Sequence, residues 1–171
     1  MKLVRCISSV FFYVFKLIGI GYLATALYTL INCLFKGPFF EELEKNRFAI
    51  NFPFSNRHFL LGTEYSVKYV TEMVLGIALY GIFFLTLSGV FNAFRQKRLF
   101  THVGIKNLRR FYIFNLLLYP VLAIVWSLVS IEDFPFVAMI VAHAIMGIFV
   151  FFIYAIFQQG VKLQNEQDLF I

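Results

Sequence analysis

His143 stands in the middle of a long apolar run, Phe134 to Phe157, with Ala142 and Ala144 beside it. Imidazole titrates close to neutral pH and is a natural proton carrier. In an apolar medium its charged form is costly, which makes the residue a candidate intramembrane polar site. A proton relay needs further titratable groups at similar depth, and the side chains on offer, Ser88, Asn115 and Tyr119, include no carboxylate. The plainer expectation is a neutral ring hydrogen-bonded across a helix bundle.

A second group of residues with chemistry to offer is basic. Arg95, Lys97, Arg98, Lys106, Arg109 and Arg110 crowd one segment that holds no acid. Cations at a membrane face attract anionic head groups, about 1 kcal/mol each, and the same surface suits an acidic protein partner. Direct nucleic-acid binding is not expected, because a short loop against a membrane offers no element to enter a groove. Glu166 and Asp168, followed by Leu169, Phe170 and Ile171, form the complementary feature at the end of the chain. Solvating those three apolar side chains forgoes about 1.5–3 kcal/mol each of available burial. Two arrangements bury them: Glu166 and Asp168 meet Arg95, Lys97, Arg98 or Arg109 while Leu169 to Ile171 pack on Leu99, Phe100 or Val103, or the apolar end dips into the lipid interface, and composition alone does not separate the two.

Other chemistry is not signalled. There is no nucleophile motif, glycine-rich phosphate loop, HExxH or pair of carboxylates for acid–base work. Cys6 and Cys33 lie 27 residues apart on one predicted helix, which separates them by roughly 40 Å, far beyond disulfide reach. No catalytic, cofactor or metal residue is assigned, and the chain is expected to be no enzyme.

The elements that position these residues follow from composition. Of 171 residues, 61% are hydrophobic and 14% charged, against a globular norm of about 45–50% and ~25%. Runs at about 10–35, 73–94, 111–129 and 134–157 each hold the roughly 20 apolar residues that cross a bilayer core, with almost no polar face at helical period. The first is too long for the apolar core of a secretory signal and is expected to remain in the mature protein. The sequence predicts an all-α membrane protein over 1–171: four transmembrane helices, an outer loop at 36–69, an inner basic loop at 95–110 and a cytoplasmic tail at 158–171.

Orientation comes from charge. The segment from Lys36 to Glu72 balances five Lys or Arg against five acids, and the short turn holding Glu132 and Asp133 has no base. Lys and Arg favour the cytoplasmic side, so the 95–110 loop and both termini are expected inside, in agreement with Lys2, Arg5 and Lys16. Within that loop Thr101 is placed to cap the third helix, with Phe100 and Ile105 as a hydrophobic staple. The second helix is expected to run on to Lys97 or Arg98.

Pro120 is expected to kink the third span. In the outer loop, Phe48, Ile50, Phe52 and Phe54 alternate with Ala49, Asn51 and Pro53, an extended pattern that Ser55-Asn56 can turn back towards His58–Leu61 as a short β-hairpin. Gly89 with Ala93, and Ala138 with Ala142, recur four apart and suit close helix packing. Gly160 is expected to be a hinge where the last helix leaves the membrane.

The ending Gly160-Val161-Lys162-Leu163-Gln164-Asn165-Glu166-Gln167-Asp168-Leu169-Phe170-Ile171 resembles the closing G-x-x-L-x-x-E-x-D-L-T-I pattern of the bacterial family called domain of unknown function 2975. Leu99-Phe100-Thr101 and Asn107-Leu108-Arg109-Arg110 resemble that family's inner-loop pattern, and length and four-span layout also fit. Phe170 departs from the threonine of the pattern, and His102-Val103 stand where acidic or Asn residues are common. The resemblance implies a small multi-pass protein of the bacterial inner membrane, often encoded beside a helix-turn-helix transcription regulator.

Residues and resemblance together lead to a non-enzymatic regulatory or scaffolding membrane protein that presents the hairpin Arg95–Arg110 and the tail to a cytosolic partner such as a DNA-binding regulator. The contact residues expected are Arg95, Lys97, Arg98, Phe100, Thr101, Lys106, Arg109, Arg110, Glu166, Asp168, Leu169, Phe170 and Ile171. The alternative is a small transporter or sensor with His143 in a polar path. A third reading, an accessory subunit in a homo- or hetero-oligomer, fits the small-residue faces.

Overall fold

Long runs of Leu, Ile, Val, Ala and Phe favour helices, which satisfy interior backbone groups within the element. The computed structural model, which describes residues 2–130 and 134–168, is accordingly mostly helical. Helix α1 spans Lys2–Phe35, α2 Val67–Arg95, α3 His102–Ile113, α4 Tyr119–Val129 and α5 Phe136–Asp168. A single π-helical turn, Phe114–Leu118, joins α3 to α4. Among the described residues, α1, α2, the α3–α4 run and α5 are each long and apolar enough to cross a membrane.

The chain divides into two compact units, Ile20–Gly81 and the combination of Met1–Gly19 with Ile82–Ile171. The first holds a three-stranded antiparallel sheet, β1 Phe40–Leu43, β2 Arg47–Asn51 and β3 His58–Gly62, in that order. Lys36 ends α1 in the left-handed region at φ 45°, and the Gly37 amide bonds back to the Asn32 carbonyl at 3.2 Å, which closes the helix end before Pro38. Lys36 also pairs with Glu42, which holds its ammonium pKa above the ordinary value.

The hairpin expected from alternation is β2 paired with β3. Strand β1 was not legible, because Phe39-Phe40-Glu41-Glu42 does not alternate. Phe48 and Ile50 are fully buried, and Phe48 is ringed by Phe40, Tyr65 and Tyr69. Phe48 lies opposite Gly62, where any Cβ would collide with its ring.

In the other unit the core is Val90, Ala93, Leu108, Phe111, Val150 and Phe157. Helix α3 packs chiefly on α5. The buried positions of α5, His143, Gly147, Val150, Phe157, Gly160 and Val161, recur at threes, fours and sevens and make one continuous stripe. That stripe corrects two expectations. Gly160 is no hinge: it lies inside α5, buried, and the helix continues to Asp168 because Val161 still faces the core. Ala138 and Ala142 are exposed, because they lie off the stripe that His143 begins, whereas Ala93 is fully buried and Gly89 stands close to Asn107.

Proline 120 acts through the turn before it. Lacking an N–H, it cannot bond the carbonyl four residues back. The π turn supplies a wider loop in which the Tyr119 amide bonds the Phe114 carbonyl. Helix α2 ends at Arg95, two to three residues short of the expected Lys97 or Arg98.

Candidate functional site

The π turn positions Asn115 against the stripe of α5. Its side chain is fully buried, and its Nδ2 donates to the Phe111 carbonyl at 2.8 Å. The Oδ1 therefore faces the other way, 2.7 Å from His143 Nδ1. An amide oxygen only accepts, so His143 Nδ1 carries the hydrogen and donates it. The Tyr119 ring stacks on the imidazole at 3.5 Å and 14°, while Phe83 meets it edge-on at 5.2 Å. Phe114 stands further out at 6.4 Å.

Of the three partners expected for His143, Asn115 and Tyr119 are brought to it. Ser88 instead donates to the carbonyl of Leu85 in its own helix. The ring is 4% exposed. An amide and three aromatic rings surround it, and none exchanges protons near neutral pH. This arrangement suits a buried structural hydrogen bond between α5 and the π turn.

The basic hairpin is built from a capped helix. Thr101 Oγ1 accepts the Gly104 amide at 3.0 Å, as expected of an N-cap. One face of α3, Gly104, Leu108 and Phe111, is buried, while Lys106, Arg109 and Arg110 are exposed on the other. Phe100 packs edge-on to Phe157 at 5.3 Å and fills the space over Gly160, where a Cβ would collide with its ring. Phe100 and Ile105 both pack against the same core cluster.

The remaining cations have separate fates. Arg95 stacks over Phe12 at 3.9 Å and donates to Asn92 Oδ1 at 2.8 Å. The Lys97 carbonyl accepts a bond from Arg5 at 2.7 Å, and the side chains of Lys97 and Arg98 are exposed. Glu166 pairs with Lys162 on its own helix at 4.0 Å. The hairpin is thus joined to α5 by Phe100 and Gly160 rather than by Glu166. The side chain of Asp168, together with Leu169, Phe170 and Ile171, lies outside the described residues, as do Glu132 and Asp133.

Sequence reading missed the contributions of Arg5, Phe12 and Asn92, whose positions carry no local signal for the hairpin. It also missed a polar cluster on the sheet. Asn51 Oδ1 accepts from His58 Nδ1 at 2.8 Å, and its Nδ2 donates to Glu41 at 3.1 Å. That cluster needs β1 beside β2, a register no alternation announced. Both cysteines are free, and no group of three metal-ligating side chains occurs among the described residues.

No family model, curated protein or solved structure matches this chain.

Proposed function

We propose that this chain is a multi-pass protein of the bacterial inner membrane, related to the family called domain of unknown function 2975, with both termini in the cytoplasm. Its helices are poorly covered by one another: in the most apolar stretch of each, only between 11% and 22% of residues are buried. Residues such as Leu17, Leu34, Leu128, Val137 and Phe149 face outward. Apolar surface on this scale calls for lipid around it.

Within that setting the role is regulatory or scaffolding, without catalysis. The observation that carries this reading is the hairpin, whose inner side is locked by Phe100 against α5 while Lys97 and Arg98 project beside a capped helix start. A rigid basic surface at the cytoplasmic face suits an acidic patch on a cytosolic protein, such as a helix-turn-helix regulator. The transport or sensing alternative asks His143 to meet a water path, and its enclosure favours the scaffold.

The test is in-cell photo-crosslinking from Val103, which is 55% exposed beside the cations. The expected product is a DNA-binding protein identified by mass spectrometry and lost when Lys97 and Arg98 are changed to alanine. Efficient crosslinking to lipid or to the chain itself alone would overturn the reading.

A further inference from the structure

The outer face of α3 continues into a groove that the hairpin contact leaves unused. Lys106, Arg109, Arg110 and Ile113 share one helix face by their spacing. With Ile82 and Thr86 of α2, and Phe114 and Leu118 of the π turn, they line an open groove of about 500 Å³. That volume falls in the range of ligand sites, ~300–1,000 Å³.

The surface of the groove itself is almost wholly apolar. Lys106, Arg109 and Arg110 line one end of it with their aliphatic stems, the arrangement in which long cationic side chains carry their heads to the rim. Lys106 and Leu118 are twelve positions apart, roughly 18 Å of helix at 1.5 Å per residue. Half a hydrocarbon core of ~30 Å is ~15 Å, so the gradient from charge to hydrocarbon has the dimension of one leaflet. Among the described residues no side-chain ion pair or hydrogen bond engages Lys106, Arg109 or Arg110.

We propose that this groove is a binding site for one anionic phospholipid of the inner leaflet. Lys106, Arg109 and Arg110 hold the phosphate, for which guanidinium forks are well shaped. Ile82, Ile113, Phe114 and Leu118 take an acyl chain. A soluble phosphate uses the cations and leaves the apolar wall wet; a zwitterionic lipid sets its own ammonium beside the three cations of the protein. Only an amphipathic anion satisfies both ends.

The site has a reach into the interior. Phe114 lines the groove and also stands 6.2 Å from Tyr119, the ring stacked on His143. A bound acyl chain would therefore brace the π turn, and with it the Asn115–His143 bond. The inference rests on the membrane placement proposed above and is independent of any cytosolic partner.

The test uses the full chain in vesicles of phosphatidylcholine alone and of equal parts phosphatidylcholine and phosphatidylglycerol. Flotation with the vesicles is scored first, then lipid retained after mild extraction is counted by native mass spectrometry. One phosphatidylglycerol per chain is expected, with no matching retention of phosphatidylcholine. Changing Arg109 and Arg110 to alanine is expected to weaken retention about five-fold per cation removed. Ile113→Trp, which fills the groove and keeps every charge, is also expected to release the lipid.

Lys97→Ala with Arg98→Ala, the same charge change outside the groove, is expected to retain it. Equal loss in the two charge variants, or full retention in Ile113→Trp, would reduce the effect to diffuse attraction and overturn the site. Flotation without retained phosphatidylglycerol overturns the groove alone. Failure to float overturns the membrane placement and the groove together.

Discussion

The hydrogen bond between His143 and Asn115 joins α5 to the π turn. Removing either partner strands the other in a buried setting. Asn115→Leu or His143→Leu is therefore expected to cost about 1–2 kcal/mol. The double change is expected to cost no more than either single one, because no orphaned group remains. A double-mutant cycle on thermal unfolding in detergent checks this. Additive losses would mean that each side chain acts alone.

At the scale of elements, the packing of the hairpin on α5 depends on one absent side chain. Gly160 lets the Phe100 ring lie directly on the helix backbone. Gly160→Ala is expected to destabilise the protein by about 1–3 kcal/mol through overpacking, and to expose the segment around Lys97 and Arg98 to trypsin. Phe100→Ala is expected to expose the same segment, and adding it to Gly160→Ala to expose it little further, because both changes break one contact. The sheet repeats this logic, since Gly62 faces Phe48. Gly62→Ala is expected to loosen β3 selectively, read as faster amide exchange in residues 58–62. Both glycines sit where a neighbouring aromatic claims the space of a Cβ, and neither adopts a positive φ.

Each of the four long apolar helices exposes large apolar side chains, which is compatible with a multi-pass membrane protein, and the orientation proposed above can be tested by labelling. With the native cysteines replaced by alanine, a single cysteine at Phe54, which is 96% exposed, is expected to react with a membrane-impermeant maleimide on intact spheroplasts. One at Lys162 is expected to react only after lysis. The reverse pattern would invert the topology, and labelling of both without lysis would remove the membrane placement altogether.

Much of this arrangement was settled by the order of residues alone. Four apolar runs determine four long helices, because an uninterrupted apolar segment leaves its backbone no better partner than itself. Thr101 announced its cap, since the bond to Gly104 is local. The alternation around Phe48 and Ile50 announced two strands, and β1 could not be read because its residues find their period only against β2. His143 drew attention by type, yet three partners stood open for it.

Tertiary structure chose Asn115 and Tyr119 by turning the π segment towards α5, and it left Ser88 bonded within its own helix. It also carried α5 past Gly160, because Val161 extends a buried stripe visible only when the whole helix is taken from His143 onward. Composition and local spacing determine which elements form. Which faces meet depends on residues distant in the chain competing for the same space, and that competition exists only once the chain has folded.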